Sequence, residues 1–547
     1  MNKTGKLELT WVGKYELKKT ENRILIEDIS KSNAKNDPNT ENMLIKGDNL
    51  IALKALENKY SGKIKFVYID PPFNASARED NKGNKLPYED SWEHSVWLNM
   101  MKDRLSLIHN LLSEEGVIFV NLDDSESAYM KVLLDEIFGR KNYLNEIIVA
   151  TNKSFGFKST TNSIFKQANK LFFYAKNVEK FAINADAMYV EKGYDKQYRF
   201  IFENVHLPEN EWTWRNIQDI VAENMGFANP REANNKNREK FEQEVANYAL
   251  MNADKIFRTA SVSGGALAKR RETIILSKNN KKTIIRHPGD DMDYMFIGGE
   301  RVLYYKERLK MIDGVLLPAE ILTDIWMDIS VEGLASEGGV NFPKGKKPEK
   351  LIRRCIELTT QPGDIILDSF LGSGTTTAVA HKMGRKWIGI ELGEHAYTHC
   401  KIRMDNVING EQSGISKEVG WTGGGGYKFY ELAPSLLEKH PILPIYQVNN
   451  NYTFEMLCEA ICKLEGFKYE PMGEMHGKSS ETRYIHISRD YISGEYIQNI
   501  VKELDENHSV LIYGTKIQSD LKLPENIEVK RIPKDLLKKY DFESEVR

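Results

Sequence analysis

Two short segments of the chain hold residue types at spacings that could do chemistry. The first is Asp70-Pro71-Pro72-Phe73-Asn74, directly after the apolar run KFVYI at 65–69. Paired prolines fix the backbone and remove two amide donors. The segment therefore offers acceptors, namely the Asp70 carboxylate and the Pro71 carbonyl. That rim suits a primary amino group, which has two hydrogens to donate and can then turn its lone pair toward an electrophile. Phe73 adds a flat face on which a base can stack. A strand ended by an Asp-capped proline turn would look the same, so this segment alone does not decide.

The second segment is Asp368-Ser369-Phe370-Leu371-Gly372-Ser373-Gly374-Thr375, between the apolar run 365–367 and a helical run. Its glycines let the backbone pass close to a ligand. An acid, Glu391, ends the next apolar run, 387–390, about twenty residues on, where nucleotide-binding folds place the acceptor for ribose hydroxyls. Thr377 stands where a dinucleotide fingerprint would put its third glycine. A nucleoside ligand without pyrophosphate fits better, and S-adenosylmethionine is one.

Strand and helix patterns alternate around both segments. Apolar runs at 43–46, 65–69, 117–122, 147–150 and 171–174 read as strands. Helical periodicity falls at 49–56 and 125–138, and on the face made by Trp97, Met101, Leu105, Ile108 and Leu112, which Gly116 closes. The alternation resumes with a helix at 348–357, strands at 365–367 and 387–390, and helices at 376–383 and 395–407. This predicts an α/β fold built on a mostly parallel sheet with helices on both faces. The expected divisions are an N-terminal segment 1–42, a catalytic half 43–179, an irregular insert 180–335 and a cofactor-binding half 336–412. A Gly-rich linker, 413–437, then leads to a small C-terminal α/β domain, 438–547. Inside the insert, 231–251 reads as one Asn- and charge-rich helix.

Composition narrows the class. The 547 residues are 41% hydrophobic and 28% charged, as in a globular protein, with a net charge of −3 that does not announce nucleic acid. Any DNA footprint must be local, and the cation-rich stretch 255–286, which includes Lys269, Arg270 and Arg271, is the candidate. No run reaches the roughly 18 apolar residues of a membrane helix, and the first residues lack the apolar stretch of a secretory signal. A cytoplasmic protein without membrane contact is expected. The four cysteines, Cys355, Cys400, Cys458 and Cys462, have no further ligands at metal spacing. Buried thiols and no metal are expected.

With these motifs in place the sequence resembles the DNA amino-methyltransferases of permuted motif order, the β class. In those enzymes Asp-Pro-Pro-Tyr/Phe precedes FxGxG, and a target-recognition domain lies between. It looks most like the modification subunits of Type III restriction–modification systems. The stretches KLELTWVGK (6–14), GDNLIALKAL (47–56), MKDRLSLIHNLL (101–112), VNLDDSE (120–126) and NKSFGFKSTTNSIF (152–165) carry the likeness. So do LTDIWMDI (322–329), GKKPEKLI (345–352) and GGGGYKFYELAPSLL (423–437).

The resemblance implies a Rossmann-like sheet with permuted motif order and methyl transfer from S-adenosylmethionine to the N6 amine of a flipped adenine. Asp70, Pro71, Pro72 and Phe73 would hold that base. Asp48, Lys347, Pro348, Asp368, Phe370, Gly372, Gly374, Thr375 and Glu391 would surround the cofactor. Double-stranded DNA, a second copy of the chain and an ATP-dependent restriction subunit are the implied partners. Cytosine-N4 methylation and a solitary methyltransferase remain alternatives. Many relatives have Pro where Ser369 stands, and Tyr-Asn-Thr-Gly where this chain has Phe-Asn-Ala-Ser.

Overall fold

The computed structural model describes residues 8–16, 21, 23–74, 93–150, 167–289, 294–331, 333–343, 345–502, 504–505 and 507–538. The stretch at 152–165, together with Lys6, Leu7, Ala75 and Ser76, lies outside the described residues. The chain divides into two compact units, Met1–Asn184 with Asp324–Arg547, and Ala185–Thr323.

The first unit is built on a ten-stranded sheet. Its strands are β1 (Leu25–Glu27), β2 (Met43–Lys46), β3 (Ile64–Ile69), β4 (Leu112–Leu122), β5 (Tyr143–Ala150) and β6 (Ala168–Ala175). The rest are β7 (Ile325–Trp326), β8 (Ile365–Asp368), β9 (Lys386–Glu391) and β10 (Lys428–Leu432). They lie side by side in the order β1-β10-β2-β9-β8-β3-β4-β6-β5-β7. The run from β10 to β4 is parallel throughout, while β6 runs antiparallel to both β4 and β5. The predicted mostly parallel sheet is present.

One feature of this order locates the site. From β3 the chain winds outward to its neighbour β4, and from β8 it winds the other way to β9. Where two adjacent parallel strands send their connections in opposite directions, the loops part and leave a crevice at the carboxyl ends. Asp70 follows β3 and Asp368 ends β8, so both motifs open onto that crevice.

Helices α1 (Asn49–Tyr60), α2 (His94–Leu111) and α3 (Ser127–Leu134) bury one face of the sheet. Trp97, Met101, Leu105 and Ile108 of α2 are fully buried against Val67, Ile69, Ile118 and Val120, as their helical spacing predicts. The role of Gly116 differs from the one expected. The helix stops at Leu111 and β4 begins at Leu112, so Gly116 lies inside a strand. A Cβ there would fall 2.8 Å from the Ile64 carbonyl oxygen, where the β3–β4 register shifts. Glycine is required by a close backbone approach rather than by a helix end.

Two further elements depart from the sequence reading. Lys428–Leu432, inside the expected Gly-rich linker, is a sheet strand between β1 and β2. Residues 231–251 form two helices, Pro230–Lys236 and Arg238–Met251, because the extended Asn237 interrupts them and caps the second through the Lys240 N–H at 3.0 Å.

Beyond residue 450, the helices Phe454–Glu465 and Gly494–Lys502 accompany a separate five-stranded mixed sheet. Cys458 and Cys462 sit buried in the first helix, where burial pushes both thiols up to about 12. No helix of the described residues is long and apolar enough to cross a membrane.

Candidate active site

Asp70 leaves β3 with both carboxylate oxygens engaged. Asn121 of the adjacent strand β4, itself buried, donates to Oδ1 at 2.7 Å. The Lys347 ammonium lies 2.6 Å from Oδ2 and 5.2 Å from the centre of the Phe73 ring, over its face. Pro72 gives its carbonyl to the Trp97 indole N–H at 2.8 Å, which pins the motif to α2. The Pro71 carbonyl has no hydrogen-bond donor among the described residues. Acceptors and aromatic face thus meet in one place, as the motif suggested.

Asn74 sits at φ +53°, a conformation that asparagine tolerates better than most residues. Its amide donates to Glu126 Oε1 at 2.5 Å, and His94 Nδ1 lies 2.8 Å from the same oxygen. Glu126 is fully buried, and desolvation pushes its pKa up. Neither Asn121 nor Glu126 was singled out from sequence. The only signal was their place in VNLDDSE at 120–126.

The second motif turns sharply after β8. Gly372 at φ +58° and Gly374 at φ +81° occupy the left-handed region that favours glycine. A Cβ on Gly374 would press on the Cys400 backbone at 3.3 Å, whereas one on Gly372 would meet only Phe342 at 3.9 Å. The space beside Gly372 is open to a ligand. Glu391 Oε2 accepts the Gly372 N–H at 2.7 Å, and its Oε1 accepts the Gly393 N–H at 3.1 Å. Burial pushes this carboxyl's pKa up. Each oxygen keeps a further acceptor position, a match for two neighbouring hydroxyls. Asp368 takes the Phe370 N–H at 2.9 Å, and burial pushes its pKa up to about 7.

The remaining expected cofactor residues fall into supporting positions. Asp48 caps α1 through the Leu50 and Ile51 amides and pairs with Arg104 at 3.2 Å. Its neighbour Asn49 donates to the Ser369 carbonyl at 2.7 Å, tying α1 to the glycine loop. Phe370 packs against the α1–α3 core. Pro348 precedes α4 (Glu349–Thr359) as its N-cap. Thr375, at the start of α5 (Thr375–Lys382), donates to the Lys347 carbonyl at 3.2 Å and receives Arg403 Nη1 at 2.8 Å. The Lys347 backbone therefore serves the glycine loop, and its side chain serves Asp70.

Beneath this loop lies an ion cluster that the sequence did not disclose. The fully buried Glu349 pairs with Lys382 and Arg403, each 2.8 Å away and each with a fully buried side chain. Glu411 also pairs with Lys382, and Glu337 with Arg403 at 3.3 Å.

In the second unit the three basic candidates separate. Lys269 and Arg271 are exposed, at the end of helix Gly264–Lys269 and the start of helix Arg271–Asn279. Arg270 is buried, with its guanidinium stacked 3.6 Å from the Tyr294 ring centre; Arg301 lies 4.0 Å from the same centre. A stacked, buried guanidinium is a packing group, so Arg270 does not share its neighbours' surface.

Residues 64–401 match the family model described as DNA methylase. Similar curated proteins include the "Probable type III restriction-modification enzyme HindVI Mod subunit" of Haemophilus influenzae. It is 34% identical over 443 residues, covering 77% of this chain and 58% of that protein. The type III restriction-modification enzyme EcoPI Mod subunit of Escherichia phage P1 is 26% identical over 452 residues, covering 75% of this chain and 65% of its own. The chain thus spans about three-fifths of these relatives' length. The matched segment, 64–401, holds both motifs and the strands that aim them into one crevice, and the chain belongs to the DNA methylase family.

Proposed function

We propose that the chain transfers a methyl group from S-adenosylmethionine to the exocyclic N6 of adenine in double-stranded DNA. We read it as the modification subunit of a Type III restriction–modification system. The observation that carries this reading is the meeting of two acceptor sets on adjacent parallel strands. Asp70 and the Pro71 carbonyl end β3, and the open glycine loop with Glu391 serves β8 and β9. The first set takes the two hydrogens of an amine; the second takes a ribose.

Each residue's work follows from its position. A base inside a duplex cannot reach the crevice, so it must rotate out of the stack. Phe73 offers the face on which it lands. Asp70 and the Pro71 carbonyl accept its amino hydrogens and point the nitrogen lone pair into the crevice. Glu391 has acceptor positions left for ribose hydroxyls, and the surface beside Gly372 allows close approach. When bound, the sulfonium cofactor supplies an already activated methyl group, so positioning is the protein's main contribution. Sequencing that detects modified bases, on DNA from cells expressing the chain, tests this directly. Methylated adenine at a defined site is expected, and methylcytosine or no modification would overturn it.

The cofactor surface is tested separately. Gly372→Leu meets no steric block at its Cβ, whose nearest neighbour is 3.9 Å away. The φ of +58° strains any side chain there, so the variant's thermal melt is checked before binding is read. Its longer side chain should nevertheless fill the open space and abolish binding of S-adenosylhomocysteine. Unchanged affinity by calorimetry would move the cofactor elsewhere.

We assign target recognition to the inserted unit, Ala185–Thr323. Its DNA contact falls to Lys269 and Arg271 rather than Arg270. Replacing both exposed residues by alanine should weaken DNA binding and flatten its logarithmic salt dependence by about 2. A salt slope equal to that of the wild type would return them to ordinary surface. The chain contains no glycine-rich lysine loop of the kind that cradles ATP phosphates. We infer that an ATP-dependent restriction subunit is its partner in cleavage. We place the modification subunit in the cytoplasm as a homodimer, and light scattering on the full chain checks the dimer.

A further inference from the structure

Both features that would receive the target base are capped by one side chain. The Lys347 ammonium holds Asp70 Oδ2 at 2.6 Å and covers the face of Phe73, 5.2 Å from the ring centre. An amino group cannot take that oxygen in full, nor a base lie flat on that ring, while the ammonium stays. Its neighbour Lys346 is fixed quite differently. The buried Lys346 ammonium reaches the Val340 carbonyl at 2.7 Å and the Ala335 carbonyl at 3.3 Å, and also binds the Glu337 carbonyl. Lys346 therefore anchors the loop, and the Lys347 carbonyl supports Thr375. The Lys347 side chain has a different attachment. Among the described residues it makes one ion pair and one ring contact, on a flexible four-carbon stem.

We propose that Lys347 is a placeholder for the target amino group. It holds Asp70 oriented and Phe73 covered in the free enzyme, and it withdraws when the flipped adenine arrives. This rests on the adenine methyltransferase reading and adds a positioning role to a residue otherwise expected to serve the cofactor. Release of the ammonium then becomes part of accepting a base, so a base that cannot offer an amine to Asp70 does not displace it. The pocket is closed to casual stacking by the same group that keeps it in shape.

The test compares full-length wild type with Lys347→Met, and uses Lys347→Gln if the first variant does not fold. The probe is a duplex carrying 2-aminopurine in place of the adenine found methylated by sequencing. Without cofactor, losing the ammonium should raise the fluorescence of the bound duplex, because more of the base is unstacked from its neighbours. It should also tighten binding by about three- to tenfold, the scale of one partly buried ion pair no longer competing. A side chain that only props the cofactor loop would leave both readouts flat or move them the other way. Either result in a folded variant overturns the placeholder. Wild type that methylates no adenine overturns the proposed function, and the placeholder with it. Wild type that methylates, beside a variant with flat fluorescence, overturns the placeholder alone.

Discussion

Asp70→Ala should lose at least about a thousandfold in methyl transfer while still binding DNA and S-adenosylhomocysteine, because the carboxylate acts on the reacting amine where charge develops. Asp70→Asn should be nearly as poor. Its amide keeps one acceptor oxygen but turns a donor toward either Asn121 or the amine. The loss should appear in turnover under saturating DNA, since Phe73 and the grip of Trp97 on Pro72 leave the motif in place. Single-turnover assays with radiolabelled cofactor measure it. A rate within about tenfold of wild type, some 1.4 kcal/mol of barrier, removes Asp70 from the mechanism.

The largest stability effect is expected at Glu349→Ala. This carboxylate sits between Lys382 and Arg403 and also accepts the Ile415 N–H at 3.1 Å. Removing it leaves two cations buried with Glu411 and Glu337 as their remaining counter-charges among the described residues. Breaking a buried pair from one side costs about 3–5 kcal/mol. The damage should reach function as well, because Arg403 also holds Thr375, which in turn is fastened to Lys347. We expect a clear fall in the thermal midpoint together with weaker cofactor binding. A midpoint for Glu349→Ala close to that of wild type would mean that the cluster does not hold α4 and α5 together.

How much of this was legible in the sequence depended on how local each cause was. The strands before both motifs declare themselves because each apolar run leads directly into its motif. Asp70, Phe73, Gly372, Gly374 and Glu391 could therefore be named and found in one crevice. Strand β10 could not be read, because five residues beside a glycine run pair with Met43–Lys46, almost the whole unit away in sequence. The split at Asn237 was missed because cap residues and helix-surface asparagines look alike until the backbone is seen. The resemblance singles out Lys347 but assigns it to the cofactor; that its ammonium turns onto Asp70, while Lys346 turns into loop carbonyls, shows only in the fold. The fate of Arg270 depended on Tyr294 and Arg301, more than twenty residues downstream.

The position of β2 has a consequence for synthesis on the ribosome. Both of its neighbours, Lys386–Glu391 and Lys428–Leu432, are made more than 300 residues after it. At a translation rate of about 5–20 residues per second, β2 waits on the order of tens of seconds for its partners. During that interval its backbone groups face open edges, the kind of surface that pairs with other nascent chains. Asp70 exists early, but β8 and β9, which complete its crevice, arrive late. A nascent chain stalled before residue 386 should therefore be unable to methylate DNA and dependent on chaperones, whatever catalytic residues it already contains.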